Sequence, residues 1–148
     1  MHPYKQLDIL LADDDMDDCL FFKDALDTLP LSPQLKTVHD GVQLMNYLEE
    51  NTAKLPHVIF LDINMPRKNG FECLAEIKNN DTLKDIPVVI FSTSNVHEKI
   101  TLLFKTGADV YIHKPSDFAQ LVKCIQHALP MATEKILSNG KLKYILNA

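Results

Sequence analysis

Five carboxylates crowd into six positions, Asp13, Asp14, Asp15, Asp17 and Asp18, directly after an apolar run, LDILLA, that begins at Leu7. Like charges this close raise one another's pKa unless a cation intervenes. A hard divalent ion meets that need with oxygen ligands, and Mg²⁺ characteristically takes one or two carboxylates while keeping waters for a phosphate. Helix capping is the plainer explanation for part of the cluster. Asp14 or Asp15 can accept from free backbone N–H groups at the start of a helix, whose dipole favours the remaining acids. Capping accounts less well for Asp13 and Asp14, which still belong to the end of the apolar run.

Three more segments pair an apolar run with a chemically useful side chain. FLDINMPRKNG carries Asp62, then a turn through Asn64, Met65 and Pro66, then Gly70 at the start of a helical stretch; FSTSN presents the Ser92 hydroxyl; YIHKP presents Lys114 beside Pro115. Taken singly, a turn aspartate, a hydroxyl after a strand and a surface lysine are all common. Their convergence on one place depends on the elements that carry them.

Those elements are read from five short β-branched apolar runs bounded by turn residues: LDILLA from Leu7, LKTV from Leu35, HVIFL from His57, PVVIF from Pro87 and ADVYI from Ala108. Between and after them lie stretches with helical spacing. These are Cys19, Phe22, Leu26 and Leu29; Val42, Met45 and Leu48; Phe71, Leu74 and Ile77; Val96, Ile100, Leu103 and Phe104; and Phe118, Leu121, Val122, Ile125 and Leu129. Strand and helix alternate five times, which predicts an α/β fold: a parallel sheet reached by right-handed crossovers and covered on both faces. Two strand orders suit an open five-stranded sheet of this kind, and in either the ligand site lies at the carboxyl ends of the strands. Asp13, Asp14, Asp62, Ser92 and Lys114 all fall there.

Composition sets the outer bounds. A chain of 148 residues with 46% hydrophobic and 24% charged residues suits one globular domain. Fifteen Lys and Arg against 20 Asp and Glu leave a formal charge of −5, the wrong sign for gripping nucleic acid. Cys19, Cys73 and Cys124 form neither a CxxC pair nor a zinc spacing. No run is long enough to span a membrane and no signal peptide is evident, so a cytoplasmic location is expected.

LADDD, DINMPRKNG, ST and YIHKP, in that order and spacing, resemble the receiver domain of two-component response regulators over Leu7 to Leu129. The resemblance implies the flavodoxin-like, doubly wound sheet of five parallel strands in order 2-1-3-4-5, with five helices in a three-layer α/β/α arrangement. It makes Asp62 the phosphoacceptor, and Asp13 and Asp14 the acidic pair that holds Mg²⁺ together with Asp62 and the Asn64 backbone carbonyl. Ser92 becomes the switch hydroxyl, Lys114 the phosphate-contacting lysine and Tyr111 the aromatic rotamer switch. It also implies a cis Lys114–Pro115 bond, turning the lysine back toward Asp62. IPVVIFSTS and the short remainder after the last helix are especially similar to stand-alone receivers partnered with bacterial phytochrome-type and other hybrid histidine kinases. Ser92 stands where Thr is more frequent in the family, and Thr93 where Ala is; neither change removes a needed group.

The implied function is a single-domain signalling switch, not an enzyme beyond its own phosphotransfer and autodephosphorylation. A sensor histidine kinase or histidine phosphotransfer protein would supply the phosphoryl group, and the surface of the fourth helix, fifth strand and fifth helix would signal to a downstream protein target. The rival is a Mg²⁺-dependent phosphatase of the haloacid-dehalogenase type, since Asp13-x-Asp15 also follows an apolar first strand. It leaves Asp62 without a role and lacks a later acidic pair, having Asp117 after Lys114 with no second acid adjacent to it. A flavin site is disfavoured because the loop after the first strand is densely anionic. Residues 1–129 are thus read as the receiver domain and 130–148 as a C-terminal tail with no output domain. In the tail, apolar Ile136, Leu137, Leu142, Tyr144, Ile145 and Leu146 suggest an arm packed on the same chain, in preference to a homodimer contact.

Overall fold

The computed structural model describes residues 7–30, 33–133 and 144–146. Strands β1 (Asp8–Ala12), β2 (Gln34–Val38), β3 (Val58–Leu61), β4 (Val88–Ser92) and β5 (Val110–His113) alternate with helices α1 (Met16–Asp27), α2 (Gly41–Glu50), α3 (Gly70–Lys78), α4 (His97–Thr106) and α5 (Phe118–Thr133). All pairings are parallel, and the first five strands stand in the order 2-1-3-4-5. This is the flavodoxin-like receiver architecture that the alternating pattern and the motif resemblance together imply.

Period-two alternation explains how one apolar run serves two layers. Ile9, Leu11, Val58, Phe60, Val89, Phe91, Val110 and Ile112 join α1 and α5 in one core. Their sequence neighbours Leu10, Ala12, Ile59, Leu61, Val88, Ile90 and Tyr111 join α2, α3 and α4 in the other. Phe22 anchors the first core with edge-on contacts to Phe60 and Phe91. Strands buried on both faces need no polar alternation, and this is why β3 and β4 read as unbroken apolar runs.

Register fixes the rim. Ala12 pairs with Leu61, so the next residues, Asp13 and Asp62, emerge side by side. Ser92 pairs with His113, which places Lys114 just beyond the end of β4.

Four expectations are corrected. Among the described residues no peptide bond is cis, so Lys114–Pro115 is trans. The trans form is the cheaper one even before proline, and the four-carbon side chain of Lys114 spans the gap from a trans backbone whose N–H donates to Ser92 O at 2.8 Å. Helix α5 does not stop at Leu129 but carries Pro130 inside it and ends at Thr133. Proline removes one hydrogen bond near a helix end without forcing termination at that residue. The region beyond also contributes a sixth strand, β6 (Tyr144–Leu146), parallel to β5 with Tyr111 opposite Ile145. The sheet therefore runs 2-1-3-4-5-6, and part of the tail packs on its own chain. Ile136, Leu137 and Leu142 lie outside the described residues. Two residues assigned to apolar helix faces are largely exposed: Val96, which is the N-cap of α4, and Phe118, which stacks edge-on against Phe21.

Candidate functional site

Helix capping and ligand chemistry divide the acidic cluster between them. Asp15 is the N-cap of α1, its Oδ1 accepting from the N–H groups of Asp17 and Asp18 at 2.9 and 3.1 Å. Asp13 lies one step off the end of β1, fully buried, with Oδ1 accepting from Asp15 N–H at 3.0 Å. Its other oxygen, Oδ2, makes no hydrogen bond and faces the Lys114 ammonium at 2.8 Å as an ion pair. Asp14 is exposed at the mouth.

Asp62 follows β3 and is buried, with Oδ1 accepting from Asn64 N–H at 3.3 Å. Oxygen atoms of Asp13, Asp14 and Asp62 lie within 4.8 Å of one another. Such a set suits a hard divalent ion: the donors are all carboxylate oxygens, and one of them, Asp13 Oδ2, is buried with the Lys114 ammonium beside it in place of a hydrogen-bond donor. The Asn64 backbone carbonyl follows in the loop two residues after Asp62.

That loop is held from below. Gly70 lies so close to the Asp62 carbonyl that a Cβ there would collide with it, and Gly41 is similarly tight against the Lys68 carbonyl. Between them Arg67 adopts a left-handed φ of 67° and its guanidinium pairs with buried Asp40, the N-cap of α2, at 3.4 Å. Asn69 and Glu72 close a reciprocal capping box on α3. Lys68 adds an ion pair to Glu76.

Lys114 sits at the centre of the charges. Its Nζ is 2.8 Å from Asp13 Oδ2, 2.8 Å from Asp18 Oδ2 and 3.6 Å from Asp62 Oδ2, and it lies over the Phe91 ring. Burial opposes the ammonium, but the Asp13 and Asp18 carboxylates beside it outweigh that penalty and hold the pKa above the usual lysine range. Burial pushes Asp62 up to about 6; Lys114 opposes the rise and the Asp13 charge adds to it. Asp13 is raised as well, chiefly by burial and against the pull of Lys114.

Ser92 ends β4 fully buried, and its Oγ accepts from Ser94 N–H at 3.2 Å. The Tyr111 hydroxyl donates to Ser94 O. Burial raises the Tyr111 phenol above its ordinary value, with hydrogen bonding to Ser92 and Ser94 opposing the rise. Tyr111 is 1% exposed, so the aromatic assigned as the rotamer switch lies inside in this state. His113 Nε2 donates to Thr93 O at 3.0 Å, a second tie between β5 and the loop after β4.

Asp13, Asp14, Asp62, Ser92 and Lys114 thus meet at one rim, together with an acid that was ascribed only to the start of α1. Asp18 caps nothing; it reaches across to Lys114, 96 residues away. A signal was present, since one capping acid cannot account for five, but its partner is set by tertiary structure alone. The phosphatase reading loses its second acid, because Asp15 is spent on the helix start.

Residues 9–126 match the response regulator receiver domain, and the chain belongs to that family. Response regulator Rcp1 of Synechocystis is 34% identical over 123 residues, covering 80% of this chain and 83% of its own. The crystal structure of the Mn²⁺-bound form of Rcp1 superposes with a TM-score of 0.74 at 31% identity, covering 88% and 94% of the two chains. The phosphorylated cyanobacterial phytochrome response regulator RcpA superposes at 0.77 with 34% identity, covering 90% and 96%. Among the described residues no helix is long and apolar enough to cross a membrane.

Proposed function

We propose that this receiver domain accepts a phosphoryl group on Asp62 from a phosphohistidine of a sensor histidine kinase or histidine phosphotransfer protein, in a Mg²⁺-dependent reaction. The observation that carries the reading is the meeting of a buried carboxylate, Asp62, with two further metal-capable carboxylates and one ammonium at the ends of separate strands. In the transfer the phosphorus–nitrogen bond to the donor imidazole breaks and a phosphorus–oxygen bond to Asp62 forms, leaving the donor histidine to recover a proton. Asp13, Asp14, Asp62 and the Asn64 carbonyl would hold Mg²⁺, which neutralises charge on the phosphoryl oxygens.

The chain's own groups do the rest. The Asn64 N–H holds one Asp62 oxygen and so orients the carboxylate. The Lys114 ammonium supplies a fixed positive charge on the side of Asp62 Oδ2. Burial of Asp13, Asp62 and Ser92 keeps bulk water away from the nucleophile. A water reaching the phosphorus in line would hydrolyse the aspartyl phosphate and reset the protein. The Ser92 hydroxyl, drawn to the phosphoryl group, would give up Ser94 N–H; Ser94 is also where Tyr111 is anchored, so the surface of α4, β5 and α5 would change with it. The similarity to phytochrome response regulators makes a phytochrome-type kinase the favoured donor.

Acetyl phosphate with Mg²⁺ tests this. The expected product carries one phosphoryl group per chain, about 80 Da by intact mass, with none on Asp62→Asn. Continuous turnover of acetyl phosphate without accumulation, or uptake that survives Asp62→Asn, would overturn the assignment.

A further inference from the structure

Lys114 is committed to two carboxylates before any phosphoryl group arrives. Its Nζ is 2.8 Å from both Asp13 Oδ2 and Asp18 Oδ2, but 3.6 Å from Asp62 Oδ2. The two near partners differ in what it would take to let go. Asp13 is fully buried and its Oδ1 is fixed by Asp15 N–H, so its carboxylate has no way to swing out into water. Asp18 stands in the first turn of α1 with its side chain 38% exposed, where a rotation about χ1 hands the carboxylate to solvent. It carries no capping duty that would hold it in place, since Asp15 is the cap.

Taking Asp62 as the phosphoacceptor, we propose that Asp18 is the exchangeable counter-ion of Lys114: it holds the ammonium in the resting protein and is displaced to water when phosphoryl oxygens take its place. Like charge drives the exchange as well, because a phosphoryl dianion on Asp62 faces Asp18 across the same ammonium. Asp18 is accordingly a positioning residue that sets how tightly the phosphoryl group is held, because it competes with the phosphoryl oxygens for the Lys114 ammonium. The inference concerns Lys114 and α1 and does not depend on which kinase is the donor.

Beryllium fluoride with Mg²⁺, a non-covalent phosphoryl mimic, provides the test, with binding followed by NMR. Asp18→Asn should lower the half-saturating concentration about 3- to 5-fold at low ionic strength, the range expected for one partly exposed ion pair. The difference should shrink with salt. Asp17→Asn removes the same charge from the neighbouring position and should bind as the wild type does. Mg²⁺ alone should bind Asp18→Asn no more tightly than wild type. In EDTA, Asp18→Asn should lower the denaturation midpoint when Lys114 is present and fail to lower it in a Lys114→Met background. Equal or weaker mimic binding by Asp18→Asn, with wild type binding and Asp62→Asn not, would overturn the exchange alone and make Asp18 a permanent clamp or a bystander. Failure of the wild type to bind, or binding by Asp62→Asn, would overturn the phosphoacceptor reading itself.

Discussion

Replacing Asp62 by Asn should make the metal-free protein more stable at neutral pH and less so, relative to wild type, as the pH falls. Burial holds the Asp62 carboxyl at about 6 against an ordinary 3.8, with its side chain only 6% exposed. At 1.36 kcal/mol per pH unit the gap corresponds to about 3 kcal/mol. The sign follows from proton counting. Between 3.8 and about 6 the native state binds the Asp62 proton more tightly than the unfolded chain, so stability falls as pH rises through that window. Above it the carboxylate is charged in both states and the loss is complete; below it the group is neutral in both and the loss disappears. Asn nearly conserves the volume and carries no charge, leaving Lys114 with Asp13 and Asp18. Urea unfolding in EDTA should therefore find Asp62→Asn about 3 kcal/mol more stable near pH 7.5, roughly 6 to 12 °C in Tm for a chain of this size, and equal to wild type near pH 3.5. Saturating Mg²⁺ should narrow the difference by stabilising the wild type preferentially. No gain at pH 7.5, or a gain that persists at pH 3.5, would show that the crowded acids do not oppose one another as their burial requires.

Three further outcomes are expected. Asp14→Ala should weaken Mg²⁺ affinity about tenfold with little effect on unfolding in EDTA, because Asp14 is an exposed carboxylate of the three-acid cluster; an unchanged Mg²⁺ titration would remove it from the site. Gly70→Ala should cost about 1 to 3 kcal/mol and slow phosphorylation as well, since the added Cβ collides with the Asp62 carbonyl; calorimetry and acetyl phosphate kinetics on one sample would check both, and loss of stability at an unchanged rate would separate packing from the site. Ser92→Ala should still accept a phosphoryl group on Asp62 but lose most of the roughly 5- to 150-fold change in partner affinity expected of an allosteric coupling, read alongside the Tyr111 ring signals by NMR; equal responses in both proteins would make Ser92 a bystander.

How much of this was legible in the sequence depends on whether the cause was local. The strands and the two-sided core were readable because β-branched runs buried on both faces leave a pattern that only a covered parallel sheet satisfies. Asp13, Asp62, Ser92 and Lys114 could be placed together because each ends or follows a strand, and parallel register does the rest. Other features were set elsewhere. The pairing of Asp18 with Lys114 spans 96 positions and leaves no periodicity. The strand at Tyr144–Leu146 is three residues long, too short for alternation to distinguish it from any apolar segment. Proline isomer is decided by tertiary context, and a long lysine side chain made the trans form sufficient. The resting rotamer of Tyr111 depends on a carbonyl at Ser94, in a loop whose path no propensity predicts.

The alternation that builds the two cores also separates the two halves of the site. Lys114 lies over Phe91, which belongs to the α1 and α5 core, and its exchangeable partner Asp18 rises from α1. Continuing the alternation of β4, Ser92 falls in step with Val88 and Ile90 and, like Tyr111, belongs with the layer of α2, α3 and α4. Packed strands leave no path between these layers through the sheet, whose interior is closed by buried side chains. Both layers reach the carboxyl-end rim, and Asp62 stands on it between β1 and β4. A group attached to Asp62 can therefore draw Lys114 from one layer and Ser92 from the other at once. On that geometry Asp18→Asn should alter how tightly the group is held while leaving the Tyr111 response intact, and Ser92→Ala should remove the Tyr111 response.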